Sequence, residues 1–461
     1  MVYVPTTYHI LPSSCHFYAS SYYLCGKDIK IMKIILLLLA IFALGTTSAQ
    51  SLVLPFDRTE PFRTPIIPYG RAADAEAGDV TRSNYVAKLA EWSVSEDGKQ
   101  CSTSFAVPVW WLNRQTLVRV GRSTSAYEVL VDNRVVGYAC SGATPVEFNI
   151  TKLAKEGRHT LTIRQIDAEQ NRVAEQFSLE PLVEDVVVVC QPTIRVRDIK
   201  VSTTLNDADE GVAQFAVAVK CDALNAKRAR IGYALHLNDS TVVAKGYSDI
   251  SLDMRREDTV RFVARIPKSS LWSLRNPHLV SVELETRIDN RPAEYVSQKI
   301  GIRSADVVFG KMHLNRLPLE LKLSDYDPSK PIAEQVTAPY NGVVVPAYYA
   351  TDKLLSECDR VGIAVVVRTA INTLTLGDHI RLGGNPSNDP FWLESYLSFN
   401  RAAYYTTRNH PSVLGFAIAA GKTTGINAYE SYLMLKTLEP RLPVIYEGAA
   451  GEWCTDKITI R

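Results

Sequence analysis

Residues 408–421 read RNHPSVLGFAIAAG. Arg408 to Ser412 is polar, contains a proline and closes a helix end, whereas Val413 to Ala419 is an unbroken apolar run suited to a parallel strand buried on both faces. Such strands belong to β/α architectures, and in a β/α barrel the chemistry sits at the carboxyl end of each strand. Ala420 and Gly421 occupy that end here, and neither carries a group that moves protons. Around this stretch, from Ser304 onward, apolar strands alternate with helical segments. The expected strands are Leu319 to Leu323, Gly342 to Val345, Ile363 to Val367, Val413 to Ala419 and Val444 to Tyr446, with another starting near Lys457. That makes about six where a closed barrel needs eight.

Working toward the amino terminus, the period changes from helical to two. Tyr127 to Val131 alternates, Asp132-Asn133 forms a turn, and Arg134 to Tyr138 is the return strand of a β-sandwich. Ile194 to Val201 alternates strictly and opens a second β-rich region that continues through Gln214 to Val219 and Arg230 to Leu237, a spacing that suits an immunoglobulin-like sandwich. The expected fold class is therefore multidomain β plus α/β, ending in a partial (β/α)8 TIM barrel.

The chain has 461 residues, long enough for two to four domains, and 51 Lys and Arg against 49 Asp and Glu give a net charge of +2. Nothing in that balance suggests a nucleic-acid footprint, which would show as a clustered basic face. Met32-Lys33, the apolar run Ile34 to Ala43 and the small residues Thr47-Ser48-Ala49 read as a signal peptide over 32–49. Its core is too short to span a bilayer, which takes about 20 apolar residues. Residues 1–31 read as upstream non-native or disordered sequence, and the mature protein is expected to begin at Gln50 and to be exported to the periplasm or outside the cell. Cys101, Cys140, Cys190, Cys221, Cys358 and Cys454 lie far apart with no C-x-x-C pair, which argues against a zinc ribbon or redox motif and leaves disulfides or isolated buried thiols. No metal cluster, nucleophile elbow or phosphate loop is present, so no metal and no cofactor is expected.

RNHPS followed by an apolar strand resembles the signature of glycoside hydrolase family 2, the β-galactosidase and β-glucuronidase group, in which Asn-Glu ends that strand and the Glu is the general acid/base. The run from Tyr127 to Thr151 resembles the family's jelly-roll sugar-binding domain, and Leu271-Trp272-Ser273-Leu274-Arg275-Asn276-Pro277 resembles the signature of its immunoglobulin-like module. The resemblance implies a jelly-roll β-sandwich over 50–191, an immunoglobulin-like β-sandwich over 192–303 and the partial barrel over 304–461. Trp272 is read as a packing residue. Glu180 to Asp185 stands where the family has Trp-Arg-x-Ser-Gly-Ile-x-Arg, so a loop that helps to complete the sugar pocket is missing or rebuilt.

Strand by strand, the resemblance keeps framework positions and loses chemical ones. Asn315, Pro318, Asn341, Cys358, Asp359, Gly362 and Arg408 to Ser412 are retained and are read as packing, cap and turn residues. Asp325-Tyr326-Asp327-Pro328 replaces Asn-Arg-His-Glu, Val344 and Ala347 replace an Arg and a His, and Val367-Arg368 stands where Asp-Glu is usual. Ala420 and Gly421 replace the Asn-Glu pair, and the family's nucleophile belongs to a seventh strand beyond Arg461. A retaining glycosidase needs two carboxyl groups about 5–5.5 Å apart. Asp325, Asp327, Tyr348, Arg368 and Glu447 remain as candidates in a vestigial pocket, and Asp325, Asp327, Glu447 and Asp456 are each read as surface or cap carboxylates.

The leading expectation is an exported protein of this ancestry that no longer hydrolyses glycosides and acts as a glycan-binding or scaffold pseudo-glycosidase. Its expected partners are a β-linked glycan and either a second copy or another chain that completes the barrel, with no nucleic acid and no membrane span. Two alternatives stand beside it: an amino-terminal fragment of an active retaining β-glycosidase, and a structural surface protein without a ligand. Amino-terminal mass spectrometry of the exported protein is expected to find Gln50 as its first residue. Recovery of peptides from residues 1–31 is the contrary result.

Overall fold

Two antiparallel β-sandwiches precede a parallel sheet in the computed structural model, which describes residues 53–458 apart from positions 55, 180–181, 224–226, 239–240, 254–255 and 452. The leader expected over 32–49 lies outside the described residues. In the first sandwich, a sheet in the order Ser93–Val94, Gln100–Val107, Gly157–Gln165, Tyr127–Val131, Arg134–Ala139 packs on a sheet of Val187–Gln191, Gln115–Val120 and Val146–Asn149. Phe105, Val118, Tyr127 and Phe148 close the core between them. The hairpin read at Asp132-Asn133 is present, with φ of 49° and 62° at its two turn residues. Positive φ at both positions gives the tight turn a twist that matches the flanking strands.

The second sandwich sets Ile194–Leu205, Gly211–Cys221 and Glu257–Ile266 against Thr241–Leu252, Lys227–Asn238, Val280–Ile288 and Arg291–Ile300, the strand number of an immunoglobulin constant-type domain. Trp272 has no exposed surface, and its indole N–H donates to the Asp359 carbonyl at 2.8 Å, so this residue joins the sandwich to the barrel region. Among the described residues, Cys101, Cys140, Cys190, Cys221 and Cys358 are free and buried, and Cys454 is buried. Burial pushes the Cys101, Cys190 and Cys358 thiols up to about 12.

The barrel region holds five parallel strands in sequential order: β1 (Leu323–Asp325), β2 (Gly342–Pro346), β3 (Ala364–Arg368), β4 (Val413–Ala417) and β5 (Val444–Ile445). Helices α1 (Asp352–Val361), α2 (Leu393–Thr407) and α3 (Ile426–Leu438) make the crossovers. Thr351 caps α1 by accepting the Leu354 N–H, and Gly362 ends it at φ 78°. A Cβ at Gly362 would lie 2.3 Å from the Leu274 carbonyl oxygen, which explains why this position is a glycine.

Two sequence expectations need correction. The run Leu319 to Leu323 is divided, because Asn315 and Arg316 (φ 51° and 66°) form a tight hairpin that pairs Leu317–Leu319 back onto Lys311–Leu314 before β1 begins at Leu323. The strand expected near Lys457 is not formed at 456–458. There the chain caps β5 instead. The Val444 N–H donates to the Asp456 carboxylate at 2.8 Å, the Asp456 N–H to the Val444 carbonyl at 2.8 Å, and the Tyr446 N–H to the Thr455 hydroxyl at 3.0 Å.

The retained polar residues act as joints. Asn315 accepts the Ser304 N–H at 3.0 Å and donates to the Trp272 carbonyl at 2.9 Å, while Asn341 accepts the Lys322 N–H at 2.9 Å. Arg408 donates to both carboxylate oxygens of Asp198 at 2.7 and 2.6 Å, and Asn409 accepts the Val201 N–H at 3.1 Å. His410 Nδ1 lies 2.7 Å from the Asp359 carboxylate, whose other oxygen accepts the Ser412 N–H at 3.0 Å. Burial opposes a charge on His410, but the Asp359 carboxylate overrides it and raises the imidazole to about 10. A raised histidine contributes stability fully below its unfolded pKa of about 6.5 and loses it as pH climbs through the folded value. His410→Gln is therefore expected to lower stability by about 3–5 kcal/mol below pH 6.5, the cost of breaking a buried pair. The deficit should shrink as pH rises toward 10, read as the difference in Tm from the unsubstituted protein. A deficit that does not change with pH is the contrary result.

Candidate functional site

Strand register decides what the inside of the partial barrel presents. Val344 lies beside Val366 and Val366 beside Gly415, while Pro346, Arg368, Ala417 and Ile445 form the next row across the sheet. The alternate residues Val345, Val367 and Phe416 face the helices, with the Phe416 ring 5.8 Å from Tyr404 of α2. Because neighbours in register share a face, the inward rows are apolar except for Arg368 and for Asp325, which pairs in register with Val344 at the end of the first strand.

Gly421 sits at the mouth beyond β4, where a Cβ would lie 2.6 Å from the Tyr446 hydroxyl and 2.8 Å from the Thr373 hydroxyl. Neither obstacle moves cheaply. Tyr446 is 2% exposed; its hydroxyl donates to the Thr423 carbonyl at 2.8 Å and shares a hydrogen bond with Ser387 at 3.1 Å. Ser387 in turn meets the Tyr396 hydroxyl at 3.0 Å. Burial raises the phenols of Tyr446 and Tyr396 above their ordinary values. The space beside the expected acid/base position is thus filled by hydroxyls that hold their protons at neutral pH.

The other candidates are not brought together. Asp327 accepts the hydroxyl (2.6 Å) and amide (3.0 Å) of Ser329 and pairs with Lys330 at 3.1 Å, contacts that hold its carboxyl down at about 2. Asp325 is exposed at the end of β1, on one edge of the sheet. Glu447 is exposed in a 3-10 turn just after β5, on the other edge. Asp456 is engaged by Tyr432, Lys436 and the β5 backbone. Tyr348 is buried, and burial pushes its phenol up to about 12.

A segment of the first sandwich lies across the mouth. The Asn372 N–H donates to the Val173 carbonyl at 2.9 Å and the Glu175 N–H to the Ala370 carbonyl at 3.0 Å. Glu175 pairs with Arg368 at 3.0 Å, and the Phe177 ring stacks on Tyr348 with centroids 3.5 Å apart. Arg368 and Tyr348, two of the sequence candidates, are thereby occupied. A cleft of about 470 Å³ remains beside the mouth, bordered by Glu169, Arg172, Asn385, Asp389, Phe391 and Trp392. Sequence reading missed Glu175, Phe177, Thr373 and Ser387. It places Tyr446 only at the end of a strand, and nothing local relates it to Gly421, 25 positions earlier. Among the described residues, no group of three or more His, Cys, Asp or Glu side chains could hold a metal. No helix among them is long and apolar enough to cross a membrane.

Comparison with known proteins agrees with this architecture. A family model for glycosyl hydrolases family 2 matches residues 194–303, and the model for the TIM barrel domain of that family matches 338–461. A beta-galactosidase of Pectobacterium atrosepticum is 25% identical over 375 residues, 76% of this chain and 36% of that protein. The crystal structure of a Bacteroides uniformis beta-glucuronidase superposes with a TM-score of 0.65 at 15% identity, covering 85% of this chain and 52% of the other. A glycosyl hydrolase family 2 member from Bacteroides cellulosilyticus gives 0.62 at 17% identity, covering 76% and 49%. The chain thus spans about half the length of these solved structures and a smaller share of the beta-galactosidase. Two matching family models, the ordered framework motifs and the shared fold lead to one assignment: the chain belongs to glycoside hydrolase family 2.

Proposed function

We propose that this chain is an exported, non-hydrolytic member of its family that binds a β-linked glycan. The reading assigns the leader to 32–49, the jelly-roll domain to 50–191, the immunoglobulin-like domain to 192–303 and the glycosidase-like domain to 304–461. One observation carries it: the acid/base position is Gly421, and the adjoining space is taken by the buried Tyr446 and Thr373 hydroxyls. Loss of a positioned acid costs about 10²- to 10⁴-fold in rate. The Glu175–Arg368 pair and the Phe177–Tyr348 stack support the same reading, since a sugar would have to displace both to enter the mouth. The ligand class is drawn from the names of the relatives, a beta-galactosidase and a beta-glucuronidase.

The purified protein is expected not to cleave nitrophenyl β-galactoside or β-glucuronide above background. Gly421→Glu should not restore turnover, because the new side chain meets the Tyr446 and Thr373 hydroxyls. Turnover that disappears on replacing Asp325, Asp327 or Glu447 would overturn the reading.

The open sheet supports a second part of the proposal, self-association or capture of a partner. β1 pairs only with β2 among the described residues, whereas the outer edge of β5 is blunted by Thr455 and Asp456. An unpaired strand edge and an uncovered apolar face favour association. Light scattering is expected to show residues 50–461 as an oligomer and residues 50–303 as a folded monomer. A monomeric, protease-resistant 50–461 whose barrel region unfolds cooperatively is the contrary result.

A further inference from the structure

We propose that residues 174–179 form a displaceable strap over the barrel mouth, latched by Glu175 on Arg368 and by Phe177 on Tyr348, and that a glycan enters by releasing this latch. The inference concerns the regulation of the mouth and rests on the glycan-binding reading for its ligand. The strap leaves the turn Glu169–Val173, and its side chains alternate. Glu175, Phe177 and Leu179 turn toward the barrel region, whereas Gln176 and Ser178 are exposed. Its root is fixed through the backbone, where the Asn372 N–H donates to the Val173 carbonyl and the Glu175 N–H to the Ala370 carbonyl. Beyond its far end, Val183–Glu184 pairs with Arg122–Ser123. Among the described residues, no backbone hydrogen bond ties 176–179 to a neighbour. A segment anchored at its ends and held in the middle by side chains alone opens at lower cost than the sheet beneath it.

The latch is light and its seat is rigid. Arg368 donates one hydrogen bond to Glu175, at 3.0 Å, where a guanidinium and a carboxylate can form two. Arg368 Nε and the second carboxylate oxygen of Glu175 are buried without a partner among the described residues. Phe177 lies almost flat on Tyr348, with 25° between the ring planes. Tyr348 does not depend on that ring for its place, since Tyr349 meets it edge-on at 4.7 Å and the Arg122 guanidinium lies 4.9 Å from its centre. The backbone of Arg368 is fixed by its register with Pro346 and Ala417. Lifting the strap therefore uncovers a guanidinium and an aromatic face at one mouth, the donor and the platform that a sugar ring uses. In the closed form Glu175 and Phe177 stand in for that ligand, an acceptor on the arginine and a ring on the tyrosine. The cleft of about 470 Å³ borders the root of the strap through Glu169 and Arg172, and gives a ligand a side from which to approach.

The test places 4-fluorophenylalanine at position 177 of the full chain and follows its fluorine resonance. Relaxation dispersion is expected to show exchange between the closed form, shifted by the Tyr348 ring, and a minor open form on the microsecond-to-millisecond scale. Addition of β-1,4-galactotetraose or cellotetraose should move the resonance to the open position. Glu175→Gln and Phe177→Ala weaken the latch from the strap side and leave its seat intact. Each is expected to tighten tetrasaccharide binding by about tenfold, because a mouth that must open first lowers the apparent affinity by its open fraction. A static fluorine resonance in the free protein, or binding that leaves it unmoved and is not tightened in either variant, would overturn the strap and leave the glycan-binding reading intact. Exchange at position 177 in a protein that binds neither tetrasaccharide would overturn the glycan-binding reading and uphold the opening of the strap.

Discussion

The structure depends on one buried junction, where Arg408, Asp198 and Thr64 meet. Arg408 comes from the end of α2, Asp198 from the first strand of the second sandwich and Thr64 from the segment leading into the first sandwich. The guanidinium bonds both carboxylate oxygens and the Thr64 hydroxyl, and the Thr64 N–H donates to the same carboxylate at 3.0 Å. The preceding residue continues the clasp, with Arg63 and Arg119 converging on the buried Glu147 at 2.7 and 2.8 Å. Burial alone would raise the Glu147 carboxyl, but the two guanidinium groups hold it well below the ordinary range. Removing any one partner would leave an uncompensated charge in the interior, which is why such residues persist once present.

That junction explains how a chain can keep its family framework while its mouth changes. Arg408, Asn409, His410 and Ser412 are bonded to the second sandwich or to α1, on the side of the sheet away from the carboxyl ends of the strands. The strand leaving this clasp, β4, is therefore positioned by contacts that are indifferent to the side chains carried at positions 420 and 421. At the mouth the Tyr446 hydroxyl lies beside Gly421, and Phe177 and Glu175 from the first sandwich meet Tyr348 and Arg368.

The mouth presents side chains engaged within the protein: Arg368 with Glu175, Tyr348 with Phe177, Asp327 with Ser329 and Lys330. The engagement is incomplete, since Arg368 Nε and Glu175 Oε2 are buried without a hydrogen-bond partner among the described residues.

The sequence by itself determined the classes of element and most of their places. The Asp132-Asn133 hairpin, the second sandwich and strands β2 to β5 are legible from periodicity and turn chemistry, because those signals act between residues close in the chain. It also pointed to Gly421 as the place where the family resemblance expects an acid/base Glu, since a glycine carries no proton donor in any fold. The tertiary structure alone decided the division of the Leu319 to Leu323 run, where hairpin pairing after Asn315-Arg316 outweighed the apolar pattern, and the capping of β5 by Thr455 and Asp456. It alone showed what fills the mouth. Glu175 and Arg368 are 193 positions apart, and no local periodicity relates two residues that meet only because three layers of the fold converge.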